Sequence, residues 1–434
     1  MFAAAALLLS PVLTPPALPA RVATALLPQQ EAGFESLQAE LARRTAARRK
    51  AASEAWVQYG PAYLKQPSKG TMAPLIEVAP EIQDPLLDAL HQRLDTKPIP
   101  VNEVQSLLFL LQEVVDSGGA SRLLDALGKL PAANRPEVLR NAVARGNQRT
   151  IAAARIYLSD QDPDLREAAL ESLLLHDRKE NLQELADRID LKQVNPTLFA
   201  LTLEELAGRE LPEDFRLPAS IWAAEQEQIR GALATFLQTH PQEESENFLI
   251  TLALEESQSL PQRQRALDAY VVGGNQFRWK AGVRDLERYL KDGNRDKASI
   301  AVAWALHHLG ERRGRRFLLA GPEEKAKRNP DDWQVQLELG RMQVDVSEFA
   351  DAYRTFKRTF DSIDNTPIAR RLQPQDYLYA SRAAAGSGHR REAGDWLSAT
   401  NLSRQELAPY RDLPEYADYL KREPFSRLFP APAE

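Results

Sequence analysis

The chain has 434 residues, enough for two or three ordinary domains or for one long repeat array. Hydrophobic residues make up 43% and charged residues 27%, a balance that fits a folded chain and excludes a disordered one. Its 61 acidic and 55 basic residues are interleaved and leave a net charge of −6, which gives no footprint for duplex nucleic acid or an anionic membrane; the absence of cysteine excludes disulfides, thiolate metal sites and a cysteine nucleophile.

At the N-terminus an apolar run over residues 2–9 is followed by Pro11, Pro15, Pro16 and Pro19. Ala23-Thr24-Ala25 then supplies a small-x-small cleavage site. The run is too short to span a bilayer, but it suits a secretory signal over residues 1–25, even though no Lys or Arg precedes it. The expectation is an exported protein, periplasmic or secreted. No later run has the length of a membrane helix. Residues 26–80 read as a long helix over 34–59, stopped by Gly60-Pro61, and then an irregular connector. The helix carries the densest basic cluster of the chain, residues 43–50, which reads as a solvated helix face.

From residue 81 onward helical segments follow at short intervals. Asp84-Pro85 opens one, and Asn102 with Gln105 has the spacing of a capping box for the next, which Gly118-Gly119 is expected to end. Further segments fall at 121–130 and 137–145. The stretch 147–191 is the centre of the reading. Asp162-Pro163 sets a capping carboxylate before a proline at the first helical position, where the missing N–H costs nothing. Leu165, Ala168, Ala169, Leu173 and Leu174 then share one face, with Arg166, Glu167 and Glu171 assigned to the other. Asn195-Pro196 starts a helix that ends at Gly208, and residues 209–218 connect onward. Helices are predicted over 219–239 and 242–256, from Pro261 to Gly273-Gly274, and over 280–290 and 296–309. No window alternates β-branched residues with period two, so no strand is assigned and the fold class is all-α.

Two resemblances follow from these residues. The stretch DPDLREAALESLL, residues 162–174, resembles the second helix of a HEAT repeat, and residues 294–310 are a looser echo. Residues 337–356 are similar to a tetratricopeptide repeat (TPR), with Leu339, Gly340, Ala352 and Phe356 at that family's positions and Gln336 and Gln343 where aromatics are usual. A second copy over 374–405 puts Tyr377, Gly388, Ala393 and Leu397 in register, with Ser381 in place of Gly. The copies are offset by 41 residues, Ala352 to Ala393, and an insertion around residues 365–367 accounts for the added length. The resemblances imply an α-solenoid of helical hairpins: a HEAT-like array over 81–320, then TPR-like repeats over 321–434 sealed by an aromatic-rich helix over 412–429.

Chemistry is harder to find. None of the six histidines belongs to an H-E-x-x-H pair, and there is no Walker loop, dinucleotide fingerprint or G-x-S-x-G elbow. Glu244-Ser245 and Glu256-Ser257 echo the catalytic dipeptide of superhelical muramidases, without the Gly-Leu-Met-Gln-like segment those enzymes carry downstream. The six tryptophans are scattered, and core packing is expected for each. No catalytic residue, metal or cofactor is assigned. The function the resemblance implies is a non-enzymatic scaffold or adaptor holding a protein or peptide partner. The alternatives are an envelope enzyme, glycan- or peptide-acting, with a carboxylate pair in a superhelical cleft, and a nucleic-acid-binding HEAT protein using residues 43–50 and 312–316. In the tetratricopeptide family the ninth position faces the groove. With Gly340 as the eighth position, Arg341 is the ninth and the offset carries it to Arg382, while Gln334 and Gln375 share the second position. The resemblance thus implies a guanidinium fork suited to a carboxylate such as a peptide C-terminus.

Overall fold

In the computed structural model the described residues are 20–292, 295–364 and 366–430, with side chains from residue 39 onward except at 292. The leader expected over 1–25 lies, up to residue 19, outside them. Among the described residues there is no strand, and helices pack against their neighbours in sequence. No described helix is long and apolar enough to cross a membrane. The chain divides into two compact units between Leu185 and Ala186, inside the stretch read from sequence as one array.

The first unit holds α1 (Ala20–Lys65), α2 (Lys69–Ile76), α3 (Gln83–Leu94), α4 (Val101–Val114), α5 (Ser117–Ala126), α6 (Arg135–Arg145), α7 (Gln148–Ala154), α8 (Pro163–His176) and most of α9 (Leu182–Ala186). The second holds α10 (Pro196–Ala207), α11 (Glu227–Thr239), α12 (Glu246–Leu254), α13 (Leu260–Phe277), α14 (Ala281–Tyr289), α15 (Lys297–His308), α16 (Arg312–Arg328), α17 (Trp333–Asp345), α18 (Phe349–Ile363), α19 (Pro374–Gly386) and α20 (Arg390–Ala399). Two single-turn helices, α21 (Arg404–Leu407) and α22 (Phe425–Leu428), follow.

The helix starts obey local chemistry. The Asp162 carboxylate accepts from Asp164 N–H with Pro163 in the first turn, and Asn195 accepts from Thr197 and Leu198 in the same way. Leu165, Ala168, Ala169, Leu173 and Leu174 are all buried, as their spacing predicts. Glu171 is the exception: it is buried too, because Arg140 on α6 reaches its Oε2 at 2.8 Å and brings it inside.

Glycine is where sequence and structure part most often. Gly60-Pro61 does not stop α1, which runs on to Lys65; a Cβ at Gly60 would strike the Trp56 ring, so glycine is there to make room for it. Gly118-Gly119 opens α5 instead of closing α4, because Asp116 caps both of their N–H groups. Gly273-Gly274 lies inside α13, under Trp279 and Leu309, and the stop falls at Arg278 in the left-handed region. Other corrections have similar local causes. Ser68 and Thr71 form a capping box that makes α2 out of the expected connector. Helix α4 starts at Val101 with no side-chain cap, so Asn102 lies inside it. The segment 219–239 splits into a 3-10 turn, Ala219–Ala223, and α11. The tail is not one helix, since Pro414 and Pro424 interrupt it, yet Tyr416, Tyr419, Phe425 and Phe429 still gather into one aromatic cluster.

One turn recurs. Between α15 and α16, Glu311 N–H donates to Leu306 and Gly310 N–H to His307; between α17 and α18, Glu348 donates to Gln343 and Ser347 to Val344; between α19 and α20, His389 donates to Ala384 and Gly388 to Ala385. Each is a Schellman turn, with Gly310, Ser347 and Gly388 at φ of 82°, 63° and 86°. Polar rungs recur as well, each reaching an element about one hairpin further along. They include Arg122 to Asp88 (34 residues apart), Arg140 to Glu171 (31), Gln262 to Glu227 (35), Arg315 to Glu348 (33) and Tyr416 to Ser381 (35).

Candidate functional site

In the second unit α11, α13 and α15 stand side by side, with α13 touching both neighbours, and α17 stands beside α19; α16 packs on both α15 and α17 and connects these two sets of helices, together called the row. His307 on α15 is half-buried, and that burial lowers its pKa. Every helix of the row buries one flank and leaves a stripe open. On α13 that stripe is Gln264, Arg265 and Asp268; on α15 it is Ile300, Ala301, Trp304 and His308.

The residues singled out in the sequence lie at the α17/α19 end. Gln334 and Gln375 are exposed near the helix starts. Arg341 is paired with the buried Asp376, and Arg382 with Glu415, whose side chain is only 4% exposed. Asp345 lies within electrostatic reach of both guanidiniums and of Tyr379, all of which favour its charged form. Asp345 keeps accessible surface but is walled by protein, and that burial raises its pKa above the usual carboxylate range. Arg382 also lies over the Tyr379 ring, 5.3 Å from its centroid. The structure therefore brings Arg341 and Arg382 to one cluster, and it adds Asp345, Asp376, Tyr379 and Glu415, which the sequence reading missed. Asp376 and Glu415 lie 35 and 33 residues beyond their partners, so a search for acids one repeat further on would have found them.

Two grooves open along the rest of the row. One, of about 480 Å³, lies over α10, α11 and α13, with Leu201, Glu204, Glu227 and Arg265 in its lining. Leu201 is 52% exposed there, and Glu227 accepts from Gln262 at 3.0 Å. The other, of about 310 Å³, lies between α13 and α15. Its floor is Leu267 and Ala305, and its walls are Val271, Ala301, Trp304, Gln264, Asp268 and His308. Trp304 is half-buried and stacks on His308 with ring centroids 5.9 Å apart. Burial raises the Asp268 pKa, opposed only by the charge of His308.

Elsewhere the candidate groups are structural. Ser245 is buried, its hydroxyl donating to the Gln242 carbonyl. The basic stripe of α1 is exposed, with Arg44 paired to Glu40 and Arg48 to Glu81. In the first unit Glu171 is buried beside Glu167, its Oε1 without a donor; desolvation pushes its pKa up to about 7 against the opposing pull of Arg140. Among the described residues no cluster of three or more His, Asp or Glu could hold a metal ion. No family model matches the chain, and no curated protein matches it either.

Proposed function

We propose that the chain is a non-enzymatic scaffold: an α-solenoid, HEAT-like over 81–320 and tetratricopeptide-like over 321–434, that holds a protein or peptide segment along the α11–α13–α15–α17–α19 row. The observation that supports this reading is the stacking within each unit, in which polar rungs tie several hairpins to an element about 31–35 residues away. Three successive Schellman turns, and Ala352 and Phe356 buried against Gly340, support the repeat assignment. In such a stack one helix of each pair lies in a common row, and its open stripe is the surface a long segment can follow. A C-terminal carboxylate arriving at Arg341 and Arg382 would take the place of Asp345 beside them.

The test is selection of a random peptide display library on the purified chain. Peptides whose binding is lost in Leu201→Glu and Ile300→Glu, at exposed positions of the row and its first groove, are the expected result. Peptides indifferent to both substitutions, or turnover of a substrate by the purified protein, would overturn the reading. Export belongs to the same proposal. It rests on residues 2–9 and the Ala23-Thr24-Ala25 site, and an intact Met1 or Phe2 on cytoplasmic protein by mass spectrometry would remove it.

A further inference from the structure

The charges of the row are distributed unevenly. At α17/α19 each arginine already faces an acid of its own chain. In the α13/α15 groove, among the described residues that line it, Asp268 is the sole carboxylate and no Lys or Arg is present. No hydrogen bond or ion pair from a described residue reaches the Asp268 carboxylate; the charge that acts on it is that of His308. Opposite it stands Trp304, half-open, with its ring held by His307 and His308 at centroid distances of 5.7 and 5.9 Å. The ring is thus flanked by both histidines of its own helix, and the groove floor is aliphatic.

We propose that the groove between α13 and α15 receives an arginine side chain of an extended partner segment, with the guanidinium on the Trp304 face and its N–H groups directed at Asp268. An exposed carboxylate in a groove lining, with no donor from the protein, is complementary to a cation with several N–H groups. An indole face attracts the same cation through its quadrupole, and a planar guanidinium can satisfy both at once. The apolar floor of Leu267 and Ala305 suits the methylene stem of arginine better than water. The next groove along the row carries Glu204 and Glu227 against a single arginine, Arg265, so basic residues elsewhere in the same segment meet a surface of opposite sign. The proposal rests on the scaffold reading and supplies the chemistry of its partner.

The experiment uses the full chain with 15N-labelled tryptophan, the Trp304 indole resonance being assigned by its loss in Trp304→Phe. N-acetyl-arginine amide, N-acetyl-lysine amide and N-acetyl-glutamate amide are titrated as probes. The expected result is a saturable shift of the Trp304 resonance with the arginine probe, a weaker one with lysine and none with glutamate. Asp268→Asn should weaken the arginine probe at least about fivefold, while the other indole resonances stay where they are in the unsubstituted chain. No shift, an equal shift with the glutamate probe, or unchanged affinity in Asp268→Asn overturns the proposal. The library selection separates its failure from that of the scaffold reading. Selected peptides that need Leu201 and Ile300 but carry no basic residue leave the scaffold and remove the arginine pocket. An arginine probe that binds while no peptide is ever selected leaves the pocket and removes the scaffold.

Discussion

The α13/α15 groove and the α17/α19 cluster lie in the same unit and are built from the same kinds of side chain, an aromatic ring and charges. They differ in where the charges find their partners. In the cluster Arg341 pairs with Asp376 and Arg382 with Glu415, while Asp345 feels both cations. In the groove the charge that acts on Asp268 is that of His308. A paired charge has already exchanged its water for a partner, so a ligand must displace that partner and gains little. An unpaired charge in an open groove has no protein partner to be displaced, and a ligand can supply one. Conspicuous arginines therefore make a poorer guide to binding than one inconspicuous aspartate.

The comparison makes stability and binding separable. The largest effect is expected from Arg382→Ala, which strands Glu415, 4% exposed, without its cation; the loss should be about 3–5 kcal/mol by chemical denaturation. A shift under about 1 kcal/mol would mean that the cluster is solvated and open to ligands after all. Next comes Glu171, a carboxylate buried like Glu415 but only half satisfied. Its folded pKa of about 7 lies above the ordinary carboxylate value, so the native state keeps the proton to higher pH than the unfolded chain does. Its contribution to stability is greatest below about pH 4.5 and declines as pH rises toward 7, by up to about 3 kcal/mol, then levels off. Glu171→Gln should flatten that slope, and an unaltered pH profile of the denaturation midpoint would remove the assignment.

A smaller effect tests the recurring turn. Ser347 holds φ at 63° where Gly310 and Gly388 hold 82° and 86°, so Ser347→Gly should stabilise the chain by about 0.5–1 kcal/mol, read as a higher thermal midpoint. Smallest of all is Asp268→Asn. With no native partner to lose, it should move the midpoint by less than about 0.5 kcal/mol, in contrast to Arg382→Ala. A destabilisation comparable to that of Arg382→Ala would show a hidden structural role for Asp268.

Much of the secondary structure was legible because it is decided within a few residues. Asp162 and Asn195 before proline start their helices as their side-chain chemistry requires, and the leucine and alanine spacing of α8 names its buried face. Glycine misled because two causes give one symbol. A glycine at a helix end supplies backbone freedom, whereas Gly60 and Gly273 are glycine because Trp56 and Trp279 occupy the space of a Cβ. That is a fact of packing, and it does not show in a local window. The site divides in the same way. The equivalence of Arg341 and Arg382 could be read from register, but their acids stand 35 and 33 residues away, at a distance set by stacking. Trp304 reads as a core residue because its helix is rich in alanine, and only the placement of α13 beside α15 brings it and Asp268 into one groove.

The ladder of polar rungs has a mechanical consequence. In each unit the named rungs reach about one hairpin ahead, so tension applied along the stack is carried by bonds in series and not shared across a sheet. Such a chain yields link by link. Pulled from its ends in a single-molecule trap, it should lengthen in small steps of about one hairpin each and recoil with little hysteresis, because every link that opens leaves its neighbour as a template for closing. A segment seated along the row would bridge several links, and its presence should be felt as stiffness.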